Sequence, residues 1–178
     1  ISARPFYLLS SNYFFDKPLK TLTTTLTLAL LGSSLVEDLL SQEAKASRLT
    51  THAKASPLRE DAVTSDWPRF NGPTDDAKSI ETKVLKKWPD SGPKLLWEIR
   101  KGEGYASPAL KDGRLIIFHR LDGKEMLEAV DPEKGTPIWQ FEYPVEYRDR
   151  FGYSNGPRAS PVIVGGLVYA HGVTAWLS

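Results

Sequence analysis

Apolar positions in the second half of the chain come in short runs, at 95–99, 107–110, 114–118, 126–130 and 138–141. They recur at intervals of about ten residues, with no helical period between them. The breaks are Lys111-Asp112-Gly113, Leu121-Asp122-Gly123 and Asp131-Pro132-Glu133-Lys134-Gly135. Asp-Gly tolerates the positive φ angles that a tight hairpin turn demands, so each break predicts a chain reversal between strands. Short, evenly spaced strands without intervening helices predict an all-β sandwich, barrel or propeller.

The pattern before residue 95 is different. Residues 1–16 are rich in Phe, Tyr and Leu but have neither a helical nor an alternating period. They read as a leader without defined structure. Lys17 and Lys20 then precede an apolar, threonine-interrupted run at 21–31, followed by Gly32-Ser33-Ser34. A basic start, a short apolar core and a small-residue exit form the layout of a secretory signal. The run falls short of the roughly 20 apolar residues of a membrane span, so it reads as a signal rather than a stable anchor. A buried helix is the alternative. Residues 1–34 are therefore expected to be a leader and signal-like segment, and the protein periplasmic or secreted.

Residues 35–65 read as a polar, partly helical linker, because Leu35, Val36, Leu39 and Leu40 have helical spacing. His52 reads there as a solvated residue. Residues 66–94 read as an irregular docking arm. Trp67 and Phe70 are expected to bury, since a large ring gains a few kcal/mol on leaving water. The prolines around them exclude a helix or a central strand. Residues 83–88 are expected to bridge to the strands as a short helical or extended segment.

Two internal matches narrow the fold. Leu96-Trp97-Glu98-Ile99 resembles Ile138-Trp139-Gln140-Phe141, 42 positions on, and Ala106-Ser107-Pro108 recurs as Ala159-Ser160-Pro161, 53 positions on. An insertion at 143–156 accounts for the longer offset. A repeat in the forties with four strands per unit is the length of a propeller blade. The expected architecture is thus an all-β partial β-propeller over 95–178. It holds about one and a half four-stranded blades, preceded by the signal-like segment and the arm. One blade cannot bury both faces without neighbours. Trp97 falls on a strand of a preceding blade otherwise missing from the sequence. With Ile1 first, one methionine at Met126, and an apolar stop at 175–178, the sequence reads as a fragment of a longer protein.

Composition removes some chemistry. Lys and Arg number 23 against 22 Asp and Glu, so no basic stripe points to nucleic acid. There is no cysteine, which excludes disulfides and thiolate metal sites, and three histidines suggest no metal set.

Asp131-Pro132-Glu133-Lys134-Gly135-Thr136-Pro137-Ile138-Trp139 resembles the Asp-x-x-x-Gly-x-x-x-Trp signature of pyrroloquinoline-quinone-type (PQQ-like) β-propeller repeats. Asp66-Trp67-Pro68-Arg69-Phe70-Asn71-Gly72-Pro73 resembles the Trp-x-x-Phe/Trp-x-Gly-Pro lead-in of secreted bacterial proteins with this propeller. Phe118-His119-Arg120, the Tyr147–Tyr153 stretch and Gly156-Pro157-Arg158-Ala159-Ser160-Pro161 are similar to the same group. The resemblance spans 66–178 and implies the repeat more strongly than any chemistry.

One implied activity is a quinoprotein dehydrogenase that oxidises an alcohol or sugar with PQQ and calcium. In that group the quinone stacks on a Trp, a carboxylate and an amide hold calcium, an Asp is the base, and a vicinal Cys pair often covers the ring. No stretch here matches the calcium or base motifs, and no Cys pair exists, so no cofactor is evident. The other implied role is non-catalytic: a propeller that binds a protein or polymer partner in the cell envelope. The sequence leans toward the second and leaves catalysis open.

Candidate ligand residues lie around the insertion: Tyr147, Arg148, Asp149, Asn155 and Arg158. Loops of this kind carry function more often than strands do. Arg158 can hold an anion with two parallel hydrogen bonds, and Asp149 can orient it. The alternative is that Arg148-Asp149-Arg150 is an ion-pair network pinning a long loop. Trp97, Trp139, Asp131 and Gly135 read as blade-packing residues, the aspartate making turn hydrogen bonds with backbone amides. His119 reads as a hydrogen-bonded turn residue.

Overall fold

The computed structural model describes residues 48–178. The leader, the signal-like segment and the helically spaced leucines at 35–40 lie outside the described residues. Within them the chain is all-β, with no helix and three antiparallel sheets.

The central sheet is a four-stranded meander. Strands β3 (Ala109–Lys111), β4 (Arg114–Leu121), β5 (Lys124–Val130) and β6 (Pro137–Pro144) pair in sequence order. Leu121 pairs with Lys124 across only Asp122 and Gly123, which have φ of 49° and 77°. Two positive φ values in a two-residue loop make the hairpin turn whose twist matches the strands, which is why Asp-Gly sits there. Lys111 and Arg114 flank Asp112-Gly113 in the same way.

Side chains alternate across this sheet. One face carries Ala109, Ile116, Phe118, Leu127 and Ala129, packed with Trp139 against Ala106, Ile163, Val168 and Ala170. The other carries Leu115, Ile117 and Val130, packed against Trp97 and Ile99, with Leu110 beside them. Both faces are therefore covered, each by a two-stranded sheet: β7 (Val162–Val164) with β8 (Leu167–Tyr169), and β1 (Leu49–Thr51) with β2 (Trp97–Ile99).

The small sheets reproduce the pairing of the large one. Ala109↔Ile116, Leu110↔Leu115 and Lys111↔Arg114 recur, 53 positions on, as Val162↔Tyr169, Ile163↔Val168 and Val164↔Leu167. Thr51↔Trp97, Thr50↔Glu98 and Leu49↔Ile99 match Ala129↔Trp139, Glu128↔Gln140 and Leu127↔Phe141. The first pair of strands of the unit thus recurs after it, and the last pair precedes it.

Three expectations are corrected. The described part of the linker holds a strand, β1, and this strand is the partner of β2, so the strand of Trp97 is not alone. His119 lies inside β4 and is wholly buried, because the β4–β5 hairpin continues past Phe118 to Leu121. Phe70 is 65% exposed. Trp67 is part-buried, with its ring lying against Gly72. Its backbone pairs with Leu110 at the edge of β3, N–H to carbonyl in both directions at 2.8 Å. Pro68 next to it accepts the Ile163 amide of β7 at 2.9 Å, so the arm ties the two sheets together. The bridge at 83–88 contains no helix.

Candidate functional site

The connector between β6 and β7 starts where the sheet ends at the Asp122-Gly123 turn, with the Val145 amide bonded to the Gly123 carbonyl at 2.9 Å. Asp149 organises it. Its side chain is almost fully buried, and its Oδ2 accepts the Tyr153 amide at 2.7 Å. Its Oδ1 pairs with Arg158 at 3.2 Å and accepts the Tyr147 hydroxyl at 3.4 Å. Its own amide donates to Asn155 Oδ1 at 2.9 Å. The Tyr153 amide, with the Arg158 charge behind it, holds the Asp149 carboxyl below the usual carboxylate range.

Four of the five candidate residues therefore meet: Tyr147, Asp149, Asn155 and Arg158. Arg148 does not join them and is exposed. The ion pair of this loop runs from Asp149 to Arg158 rather than to the flanking arginines, and Arg150 instead lies over the Phe151 ring, 4.6 Å from its centroid.

Two residues outside the candidate set, Arg120 and Glu103, complete the support. Arg120, at the end of β4, donates to the carbonyls of Val145, Tyr147 and Asn155 at 3.0, 2.8 and 3.4 Å. Glu103 accepts the Asn155 amide at 2.8 Å, and its backbone bridges Arg120. Only the hairpin's length could have placed Arg120 there, since β4 has to reach Leu121 to meet Lys124.

The repeat residues sit apart from this loop. Asp131 Oδ1 accepts the amides of Glu133 and Lys134 at 2.8 and 3.0 Å, closing the β5–β6 turn. Burial works against that carboxylate, but the two amides and the Lys134 charge outweigh it and lower its pKa. Trp97 lies on this turn, its indole N–H donating to the Pro132 carbonyl at 3.1 Å. Trp139 packs on the opposite face of the sheet.

A buried polar cluster lies under β1. Arg48 reaches Glu128 with two nitrogens, at 2.7 and 3.1 Å, and approaches His119 Nε2 at 3.4 Å. His119 Nδ1 accepts the Gly102 amide at 2.9 Å, which leaves Nε2–H to donate to Glu128 Oε2 at 3.2 Å. Burial alone would raise the Glu128 carboxyl. The hydrogen bonds from His119 and Arg48, with their charges, outweigh it and bring the carboxyl down to about 2. Arg48 Nε also donates to the Arg100 carbonyl at 3.0 Å, just past β2, so the cluster ties the start of β1 to both β2 and the central sheet. His52, outside it, is half-exposed and meets Glu98 at 2.8 Å across the β1–β2 pair.

On the other face, Glu125 is fully buried. It accepts the Tyr143 hydroxyl at 2.6 Å and the Val173 amide at 2.9 Å. Burial and the neighbouring carboxylate push the Tyr143 phenol up. Among the described residues there is no group of three or more metal-ligating side chains, and no helix is long and apolar enough to cross a membrane. Comparison with family models, curated proteins and solved structures finds no match to this chain.

Proposed function

We propose that residues 66–178 belong to a PQQ-like β-propeller of a secreted or periplasmic protein, and that it serves as a binding or scaffold module for a protein or polymer partner in the cell envelope. The observation that supports this reading is the repeat in strand register. A four-stranded meander is flanked on one face by a copy of its own last two strands and on the other by a copy of its first two. Such stacking buries both faces of a unit that has no core of its own.

The binding role rests on how the β6–β7 connector is built. Its acid, amide and one arginine are consumed in holding the loop, which suits a rigid contact surface better than a reacting centre. The test is titration of the protein with PQQ and calcium, followed by an alcohol-dependent dye-reduction assay. The module reading predicts no bound quinone and no dye reduction. Stoichiometric quinone with alcohol-dependent reduction would replace it with a quinoprotein dehydrogenase.

A further inference from the structure

Two asparagines in the described chain precede a glycine: Asn71-Gly72 in the arm and Asn155-Gly156 in the β6–β7 connector. Such a pair can react with itself. The glycine amide nitrogen, after losing its proton to solvent, attacks the asparagine Cγ. A C–N bond closes a five-membered succinimide, the Cγ–Nδ2 bond breaks, and the nitrogen takes up a proton and leaves as ammonia. Water then opens the ring at either carbonyl. One opening gives aspartate, and the other gives isoaspartate, whose main chain runs through the former side chain. One water is consumed and one ammonia released, with no catalyst or oxidant. Glycine favours the step because no Cβ shields the attacking nitrogen. The requirements are a side chain free to turn and a backbone able to swing the nitrogen onto it.

The fold treats the two pairs differently. Asn155 is clamped: its Oδ1 accepts the Asp149 amide at 2.9 Å, its own amide donates to Glu103 at 2.8 Å, and its carbonyl accepts from Arg120. Gly156 is buried and packs so closely on the Glu103 carbonyl that no Cβ would fit. Asn71 is exposed, and its side chain makes no hydrogen bond among the described residues. The backbone around it is held only locally. The Gly72 amide donates to the Arg69 carbonyl at 2.9 Å, and the Asn71 carbonyl accepts the Ala77 amide at 2.9 Å. The Arg69–Asp75 ion pair across this turn is exposed and adds little. The turn is also strained, since Asp75 and Ala77 take φ of 58° and 57°. Opening an exposed, strained turn costs less than opening a connector tied to two other segments.

Gly72 matters to the fold because Trp67 lies on it: a Cβ there would sit 2.8 Å from the indole ring. Isoaspartate at 71 adds an atom to the main chain immediately before that contact. Trp67 and Pro68 in turn offer consecutive carbonyls to the Leu110 amide of β3 and the Ile163 amide of β7, at 2.8 and 2.9 Å. Leu110 and Ile163 are equivalent positions of the two repeats. A change beneath Trp67 is therefore felt at both sheets.

We propose that Asn71 is a site of spontaneous, succinimide-mediated conversion to aspartate and isoaspartate, and that isoaspartate at this position loosens the arm from β3 and β7. The proposal does not depend on the propeller reading or on any bound partner.

The test is ageing of the full chain at mildly alkaline pH, followed by peptide mapping by mass spectrometry and by labelling with an isoaspartate-specific methyltransferase. A sample of the same chain in concentrated urea, where both pairs are free, sets the intrinsic rates. In urea Asn71 and Asn155 should convert at similar rates. In the folded chain Asn71 should convert at least about tenfold faster than Asn155. Equal rates in the folded chain, faster conversion of Asn155, or no conversion of Asn71 in the time the urea sample reacts would each overturn the assignment. Hydrogen exchange reads the consequence. Aged protein should exchange the Leu110 and Ile163 amides about tenfold faster than fresh protein, with β4 and β5 amides unchanged. Asn71→Gln, whose side chain is one methylene too long to close the five-membered ring, should age without this change. Unaltered exchange in the aged wild type, or the same acceleration in Asn71→Gln, would overturn the loosening.

Discussion

Gly135 leaves the space that Trp97 fills. A Cβ on Gly135 would lie 2.7 Å from the Trp97 ring and 2.6 Å from Leu49 Cδ1, and the glycine sits at φ +71°. The Asp-x-x-x-Gly-x-x-x-Trp pattern thereby acquires a physical meaning. The aspartate closes the turn, the glycine opens a seat on it, and the tryptophan occupying that seat comes from the preceding repeat.

Gly135→Ala should destabilise the protein by about 2–4 kcal/mol, combining backbone strain with overpacking against an indole. Gly113→Ala is the control, because its φ of +69° is similar but nothing lies within 4 Å of its Cβ. That substitution should cost about 1 kcal/mol. Urea unfolding of both measures the difference. In a Trp97→Ala background the Gly135→Ala penalty should shrink toward that of Gly113→Ala, and an unchanged penalty would separate the two residues.

Removing one member of the Arg48–Glu128 pair strands the other in the interior. Glu128→Ala should cost about 3–5 kcal/mol, as breaking buried ion pairs does. The loss should centre on β1, which Arg48 anchors. Hydrogen exchange at the Arg100 amide, bonded to the Arg48 carbonyl at 2.9 Å, reads it directly. Exchange there should accelerate before exchange in β4.

The same carboxyl sets an acid limit. Its pKa falls on folding from 4.5 to about 2, so it contributes stability above pH 4.5 that is lost as the pH falls toward 2. The loss should reach up to about 3 kcal/mol across that window. Glu128→Gln should flatten this part of the stability–pH curve. An equally steep curve in the variant would assign the acid transition to other groups.

Much of this fold was legible in the sequence because its determinants are local. Asp122-Gly123 and Asp112-Gly113 specify hairpins by themselves, and alternation places Ile116 and Phe118 opposite Leu115 and Ile117. Strand β1 was not legible. Leu49-Thr50-Thr51 is three residues in a polar stretch, and its pairing with Trp97–Ile99 spans a long excursion of chain. Arg48 and Glu128 escaped for the same reason, since 80 positions separate two charges that meet only after folding. The connector was found as a loop of interest, but its wiring was not. Asp149 chooses Arg158 over its neighbours Arg148 and Arg150 because the backbone turns between them, as the Gly152 amide bonded to the Asp149 carbonyl at 3.1 Å records.

Asp149→Asn should loosen the connector without unfolding the sheet. The amide keeps one acceptor oxygen but loses the charge that binds Arg158, so exchange of the Tyr153 amide should accelerate by about tenfold while β4 and β5 amides stay protected. Equal acceleration in the strands would make Asp149 a residue of the global core instead.

The central claim is that the four-stranded meander is one blade in a ring of like units. A crystal structure of the protein as isolated from its natural host tests it most directly. The account predicts four-stranded meanders arranged about a common axis, with β3 and β7 innermost and Trp97 seated on the turn of Gly135. Two sheets packed face to face as a closed sandwich, with no such axis, would contradict it.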